Sequence, residues 1–179
     1  MSDRNAQYDT IMLPDGDFRP DDFTAERLEG YPMVIVPDDY VLTENQQTIL
    51  LDYAMKGGQV LVVGRLAEGS GLLDKLLATG NAVHVPINET AASYMAAFLT
   101  AFETMYSPIA PASCTDARVG IQRFDDEKGA YVHILNYQYD AEADRIQPID
   151  QLQILVKNVA DKKLSVVVPS WQNRTDYAT

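Results

Sequence analysis

Two different spacings of hydrophobic residues follow one another in residues 31–64, and together they define one structural unit. Residues 33–37 and 59–64 are short apolar runs rich in β-branched side chains, which is typical of buried parallel strands. Between them, apolar residues recur at helical spacing: Ile49, Leu50, Tyr53 and Ala54. The order strand, helix, strand predicts a parallel βαβ unit and therefore an α/β sheet.

Specific residues mark both ends of the helix in this unit. Thr43 and Gln46 stand three positions apart, which is the spacing of a capping box at a helix N terminus. Gly57 and Gly58 follow the last apolar positions, where a residue in the left-handed conformation commonly ends a helix. The pattern therefore predicts a helix that begins after Thr43 and ends at Gly57.

Further elements extend the α/β pattern on both sides of the unit. Upstream, the sequence predicts a strand over 8–13, a turn over 14–17, and a helix from Asp21 or Asp22 to residue 29. Downstream, it predicts a helix over 72–77, a strand over 82–85, and a helix that Asn88 or Thr90 caps and that runs to about residue 105. We therefore expect a parallel-sheet domain over residues 1–106.

The pattern changes after residue 106. Residues 107–114 are rich in proline and small side chains, and we interpret them as a linker. Beyond the linker, apolar residues alternate with period two. The expected elements are a hairpin of strands 118–124 and 130–137 around a turn at 125–129, and further strands over 152–156 and 164–168. Residues 115–179 are therefore predicted to be a small antiparallel β domain.

Charge and cysteine content exclude several classes of function. The 179-residue chain has 14 lysines and arginines against 26 aspartates and glutamates, a formal net charge of −12. Because it has no basic cluster, we expect it to bind neither nucleic acid nor an anionic membrane. No apolar run approaches the ~20 residues of a membrane span, and the N terminus lacks a signal-peptide core. With Cys114 as the single cysteine, the chain is interpreted as cytoplasmic, or as a piece of something larger.

Nucleophilic catalysis finds no support in the sequence. The strand-to-helix segment 64–69 holds no cysteine, and Cys114 lies in the predicted linker, so amidotransferase and protease activity are rejected. Ser70 follows an incomplete Gly-x-Ser-x-Gly pattern, and we interpret it as a helix cap. The acidic groups near residues 125–127 and 140–144 lie in polar turns, where nothing raises their pKa as glycoside hydrolysis requires.

Charged residues follow three consecutive predicted strands. Asp15 and Asp17 come after the first strand. The ligand-binding candidates come after the next two: Asp38, Asp39, Arg65 and Glu68. Because the carboxyl ends of parallel strands share one edge, where ligands bind in open α/β sheets, these side chains could bind a small molecule, or a divalent cation through carboxylate oxygens. The alternative is that they cap turns and face solvent. No metal site and no cofactor are assigned.

An aromatic set in the second half has two interpretations. Its members are Tyr131, Tyr137, Tyr139 and Trp171. They could stack on a sugar, whereas packing in a core or an interface is the alternative that we favour.

Two segments of the chain resemble parts of known carbohydrate enzymes. The strand that ends at Pro37, a loop with Tyr40 and Leu42, and the run DYAMKGGQVLVVGR are similar to the trimerisation domain of family-42 β-galactosidases. They also resemble the wider class I glutamine-amidotransferase-like group. In the second half, GAYVHILNYQYD and LQILVKN resemble the C-terminal β domain of several glycoside hydrolases. The resemblance implies a flavodoxin-like α/β domain that serves as an accessory to a separate catalytic barrel, which this chain lacks.

The resemblance also sets the functional expectation. Relative to that family, the chain is expected to be clipped at both ends, so that another chain or a swapped segment covers an open strand edge. We therefore expect a non-catalytic accessory and oligomerisation region of carbohydrate metabolism, which self-associates as a dimer or trimer or binds a glycosidase catalytic domain. The alternative is a small-molecule or metal-binding module that uses the acidic strand ends. An enzyme with its own chemistry is the third and least supported class.

Overall fold

A computed structural model of the chain describes residues 6, 8–13, 21–39, 41–87, 91–159 and 163–166. The chain divides into two compact units. The first is Tyr8–Ala110, and the second holds the described residues from Pro111 onward. The first unit contains helices and a parallel sheet, whereas the second contains short antiparallel strand pairs. The chain therefore has mixed α/β content. In its described part, no helix is long and apolar enough to cross a membrane.

The predicted βαβ unit is present in the first unit. Strands β1 (Met33–Asp39), β2 (Gln59–Leu66) and β3 (Ala82–Val85) form a parallel sheet in the order β1-β2-β3. Val60, Leu61 and Val62 of the central strand are fully buried. Since side chains alternate between the two faces of a strand, burial of consecutive residues means that both faces of β2 are covered.

Four described helices accompany the sheet: α1 (Ala25–Glu29), α2 (Glu44–Met55), α3 (Leu72–Ala78) and α4 (Ala91–Tyr106). One core cluster joins α1, α2, α3 and the sheet through Leu28, Leu50, Leu76, Val60 and Val62. Helix α4 contacts β2 and β3. The prediction of helices around residues 44–55, 72–77 and 91–105 is therefore confirmed.

The two ends of α2 show why their residues are needed. At the start, Thr43 Oγ1 accepts a hydrogen bond from Gln46 N, and Gln46 Oε1 accepts one from Thr43 N, so the predicted capping box forms. At the end, Gly57 has a φ of 97°. A Cβ on Gly58 would lie 2.3 Å from the Tyr53 ring. The first glycine therefore provides the left-handed turn, and the second lets the Tyr53 ring pack against the backbone.

The first predicted strand is wrong, because residues 8–13 have no regular secondary structure. Ile11 and Leu13 pack against the core cluster, and Asp9 accepts a hydrogen bond from the Tyr31 hydroxyl at 2.8 Å. Side-chain contacts therefore hold this segment without a strand ladder. The turn at 14–17 and the caps at Asn88 and Thr90 lie outside the described residues.

The first helix begins later than the sequence predicts. Its N-cap is Thr24, whose side chain accepts a hydrogen bond from Arg27 N. Asp21, one of the two predicted caps, instead accepts hydrogen bonds from Phe23 N and from the side chain of Gln46. It therefore joins the segment before α1 to the start of α2.

The second unit contains the predicted hairpin. Strands β5 (Val119–Asp126) and β6 (Gly129–Asn136) pair antiparallel, with Phe124 opposite Tyr131. Asp126 Oδ1 accepts hydrogen bonds from the N–H groups of Lys128 and Gly129, which closes the turn. The short strands β4 (Ala112–Cys114) and β9 (Ile154–Val156) form a second pair, and β7 (Tyr139–Asp140) and β8 (Arg145–Ile146) form a third.

Two details of the second unit differ from the sequence prediction. Strand β4 lies within residues 107–114, which were predicted to be a linker, because its backbone pairs with β9. The strand predicted over 164–168 does not form over residues 163–166, which have no regular structure, and residues 167–168 lie outside the described part. Leu164 there is largely exposed, so no packing favours a strand.

Candidate functional site

Two of the predicted ligand-binding residues, Asp38 and Arg65, meet at the carboxyl ends of β1 and β2. Asp38 Oδ1 accepts hydrogen bonds from Arg65 N and Nε, each at 3.0 Å. Asp38 Oδ2 accepts a third hydrogen bond, from Arg65 Nη2, at 2.9 Å. The register of the two strands shifts between Pro37 and Asp39, and this irregularity turns Asp38 towards β2.

The charge of this pair is largely internally balanced. Hydrogen bonds from Arg65 are the main cause that lowers the pKa of Asp38 from 3.8 to about 2, so the carboxylate is ionised at neutral pH. The Arg65 and Asp38 side chains are 53% and 38% exposed, so water screens their attraction. A cation at Asp38 would have to displace a guanidinium that already occupies both carboxylate oxygens. The geometry therefore suits an ion pair that stabilises the two strand ends, or binding of a ligand group that replaces Arg65 at Asp38.

Gly64 makes the close approach of these strands possible. Its φ is 81°, and a Cβ there would lie 2.6 Å from Asp38 Oδ1 and 2.7 Å from Ile87 Cδ1. Its carbonyl oxygen lies 2.7 Å from His84 Nε2 on the neighbouring strand. His84 lies in the strand predicted over residues 82–85, and the sequence alone assigns it no further role. The register, in which His84 lies opposite Val62, brings its ring to this edge.

Glu68, another predicted site residue, does not join the pair. Glu68 is exposed in the loop after β2, and none of the hydrogen bonds among the described residues joins it to Asp38 or Arg65. Asp39 ends β1, but its side chain lies outside the described part of the structure, as do Asp15 and Asp17. Within the described ranges, no group of three or more His, Cys, Asp or Glu side chains could hold a metal ion.

A groove runs beside β1, and its described lining residues include none from β2. Its volume is about 520 Å³. Residues of β1 form one wall, and Ile11, Leu13, Phe23 and Leu42 contribute apolar side chains around it. Asp9 and Asp38 are the charged residues among the described part of the lining. The spacing of residues in the sequence does not predict this groove, because the groove depends on residues 8–13 lying near β1 without pairing with it.

The candidate nucleophiles have structural roles. Cys114 is half-buried in β4, and its thiol donates a hydrogen bond to Asp116 O at 3.2 Å. Ser70 Oγ accepts a hydrogen bond from Leu72 N at the start of α3, although Gly71 occupies the cap position itself. These contacts stabilise a turn and a helix end.

The acidic turns of the second unit also stabilise their own backbone. Asp140 accepts hydrogen bonds from the N–H groups of Glu142 and Ala143 and from the side chain of Gln147. These bonds, the one from Ala143 first, lower the pKa of Asp140. A general acid for glycoside hydrolysis needs a raised pKa, so the shift has the opposite sign.

An apolar surface covers one face of the β5–β6 hairpin, and we call it the hairpin face. By strand alternation and the pairing register, it consists of Gln122, Phe124, Tyr131, His133 and Leu135. Phe124 and Leu135 are 47% and 52% exposed. Tyr137, which follows β6, is also exposed and packs over Gly120. The predicted aromatic set is therefore partly assembled here, whereas Tyr139 donates a hydrogen bond to Asp144 and Trp171 lies outside the described residues.

Comparisons with known proteins identify no relative of this chain. No protein-family model matches it. No curated protein and no solved structure matches it either. The resemblance to β-galactosidase trimerisation domains therefore stays a prediction from the sequence motifs.

Proposed function

We propose that this chain is a non-catalytic accessory and oligomerisation region of a β-galactosidase-like glycoside hydrolase, and so belongs to carbohydrate metabolism. Its first unit would be a flavodoxin-like domain of the class I glutamine-amidotransferase-like type. The parallel order β1-β2-β3 and the α2 end at Gly57 and Gly58 support this assignment, since both are features of the motif that carries the resemblance. The single cysteine supports a cytoplasmic location.

The observation that best supports an association role is the hairpin face. Aromatic and aliphatic side chains that stay about half exposed on a sheet face lose contact with water when another protein covers them. Tyrosine and phenylalanine are enriched at such interfaces. We propose that a second copy of the chain, in a dimer or trimer, or a glycosidase catalytic domain covers this face.

Light scattering coupled to size exclusion tests self-association. The chain has a mass of 19.9 kDa, and we expect a dimer or trimer at micromolar concentration. Leu135→Lys places a charge in the hairpin face and should shift the mass towards that of a monomer. Ala141→Lys adds the same charge at an exposed loop position and is the matched control. A folded wild-type chain that elutes as a monomer at all concentrations would contradict the oligomerisation role.

A second candidate function is binding of a small molecule or metal at the strand-end edge. The observation that favours it is the Asp38–Arg65 pair at the carboxyl ends of two parallel strands, where open α/β sheets bind ligands. Titration with Mg²⁺ or Ca²⁺ would then move the amide NMR signals of Asp38 and Arg65, and Asp38→Asn would abolish the shift. Unmoved signals at millimolar cation would exclude the metal-binding form of this function.

A further inference from the structure

Strand β1 is an open edge of the parallel sheet. Among the described strands, β2 is its neighbour on one side, and no described strand lies on the other. Gln59 N donates a hydrogen bond to Pro32 O at 3.2 Å. In a parallel ladder, every second residue of a strand bonds to the same neighbour, so the even-numbered residues of β1 bond to β2. Met33 and Ile35 therefore direct their backbone N–H and C=O groups to the open side. Pro37 has the same parity, and proline is tolerated in an edge strand because it has no N–H to leave unpaired.

The groove described above lies along this open edge. Its volume of about 520 Å³ is in the range of ligand-binding clefts. It extends from Tyr31, just before β1, to Asp38 near its end. The eight residues from Tyr31 to Asp38 span about 23 Å when extended, so the groove is elongated. A compact metabolite would leave most of this length empty, whereas an extended peptide would fill it and could pair with Met33 and Ile35.

The charge around the groove restricts the partner further. Among the described residues of its lining, the charged ones are Asp9, close to Tyr31 at one end, and Asp38 at the other, whose charge Arg65 offsets. The charge of Asp9 is negative, and the whole chain carries a net charge of −12. An acidic partner would be repelled, whereas a peptide with a basic residue near Asp9 would be attracted. Apolar residues at alternate positions would face the side chains of Ile11, Leu13 and Phe23.

We propose that the β1 edge binds an extended segment of a partner protein as an added strand, and that this segment has alternating apolar residues and a basic residue at the end that lies near Asp9. The pairing is of the strand-addition type, in which backbone hydrogen bonds hold the peptide and side chains select it. This inference concerns the first unit alone and does not depend on the proposed accessory role, which rests on the hairpin face.

Amide hydrogen exchange of the full chain, measured by NMR, tests the pairing directly. The probe is the synthetic peptide KVTVTVK, compared with EVTVTVE and with KVTPTVK, whose central proline interrupts the ladder. We expect the Met33 and Ile35 amides to exchange at least tenfold more slowly with KVTVTVK at saturation. The acidic peptide should protect them much less, and the proline peptide should not protect them.

Two variants distinguish binding of the peptide in the groove from binding of the peptide elsewhere on the protein. Val41 lines the groove and is 69% exposed, so Val41→Lys should fold and should weaken KVTVTVK binding about tenfold by repelling its basic end. Met55→Lys adds the same charge at an exposed position of α2 outside the groove lining and should leave binding unchanged.

Several results would overturn the proposal. Met33 and Ile35 amides that are already protected in dilute, peptide-free protein would show that the chain covers its own edge. Protection that grows with protein concentration would show that a second copy occupies it. Equal protection by all three peptides, or equal binding by the two variants, would show that the groove does not select the peptide.

Discussion

Gln46 connects helix α2, the residues just before it and the segment before α1. Its replacement tests how much these contacts stabilise the region that lines the groove. It is a buried polar side chain, 3% exposed, in the first turn of α2. Its Oε1 accepts a hydrogen bond from Thr43 N at 2.9 Å, and its Nε2 donates one to Asp21 Oδ2 at 2.9 Å. The other oxygen of Asp21 accepts a hydrogen bond from Phe23 N. Gln46 therefore joins the start of α2 to Thr43, which follows Leu42, and to Asp21, which lies near Phe23. Leu42 and Phe23 both line the groove.

The structure gives the size of the expected effect. Gln46→Ala removes a capping-box bond, which is worth about 1 kcal/mol, and a charge-assisted bond to Asp21, which is worth about 1.5 kcal/mol because Asp21 is exposed. We expect the free energy of unfolding to fall by about 2–3 kcal/mol. With an m value of about 2 kcal/mol/M, the urea midpoint should drop by roughly 1 M. Circular dichroism at 222 nm follows this unit, because all the described helices lie in it.

Two further variants make the test specific. Asn45→Ala changes the exposed neighbouring residue and should alter the free energy of unfolding by less than about 0.5 kcal/mol. Gln46→Glu keeps the acceptor for Thr43 N but places a carboxylate beside Asp21, which raises the pKa of the introduced group. Its destabilisation should therefore be present at neutral pH and shrink as the pH falls towards 4. A Gln46→Ala midpoint equal to that of Asn45→Ala would refute this reasoning.

Two other predictions concern the core and the strand-end pair. Leu50→Ala empties a fully buried core position and should cost about 2–5 kcal/mol in urea unfolding, whereas Leu77→Ala, at a 41% exposed position, should cost much less. Asp38 has a pKa of about 2 beside Arg65 against an ordinary 3.8, so its stabilisation is present above about pH 4 and is lost as the pH falls towards 2. Asp38→Asn should therefore lower stability at pH 6 and have a much smaller effect near pH 2; an equal loss at both values would contradict the ion pair.

Local signals in the sequence predicted the α/β part of the fold because the structure satisfies them locally. Thr43 and Gln46 form the predicted capping box within a single helical turn, which needs no distant partner. The apolar run that became β2 is buried because it lies between β1 and β3 with helices packed against it, whereas among the described side chains of the edge strand β1 only Val36 is buried. Placing Asp38 near Arg65 followed from the same pattern, since parallel strands end at a common edge.

What the sequence could not provide depends on contacts between distant segments. Residues 8–13 alternate like a strand, yet the Asp9–Tyr31 hydrogen bond and the packing of Ile11 hold them beside β1 without a ladder. Arg123 was not singled out, although it bonds the carbonyl oxygens of Pro111 and Lys157 and so joins the hairpin to the β4 and β9 strands. Neither arrangement has a signature in the spacing of residues along the chain.

The hairpin face and the β1 groove are proposed to bind through different forces, and the effect of salt on binding distinguishes the two. Copies of a chain with a net charge of −12 repel one another, so association through the apolar hairpin face must overcome that repulsion. Salt shortens the range of the repulsion to about 8 Å at 0.15 M and therefore favours association. A basic peptide at the β1 groove is instead attracted by Asp9 and by the net negative charge of the chain, and the same salt weakens its binding. Opposite responses to salt would show that the hairpin face and the groove act independently, each through the chemistry that its own residues supply.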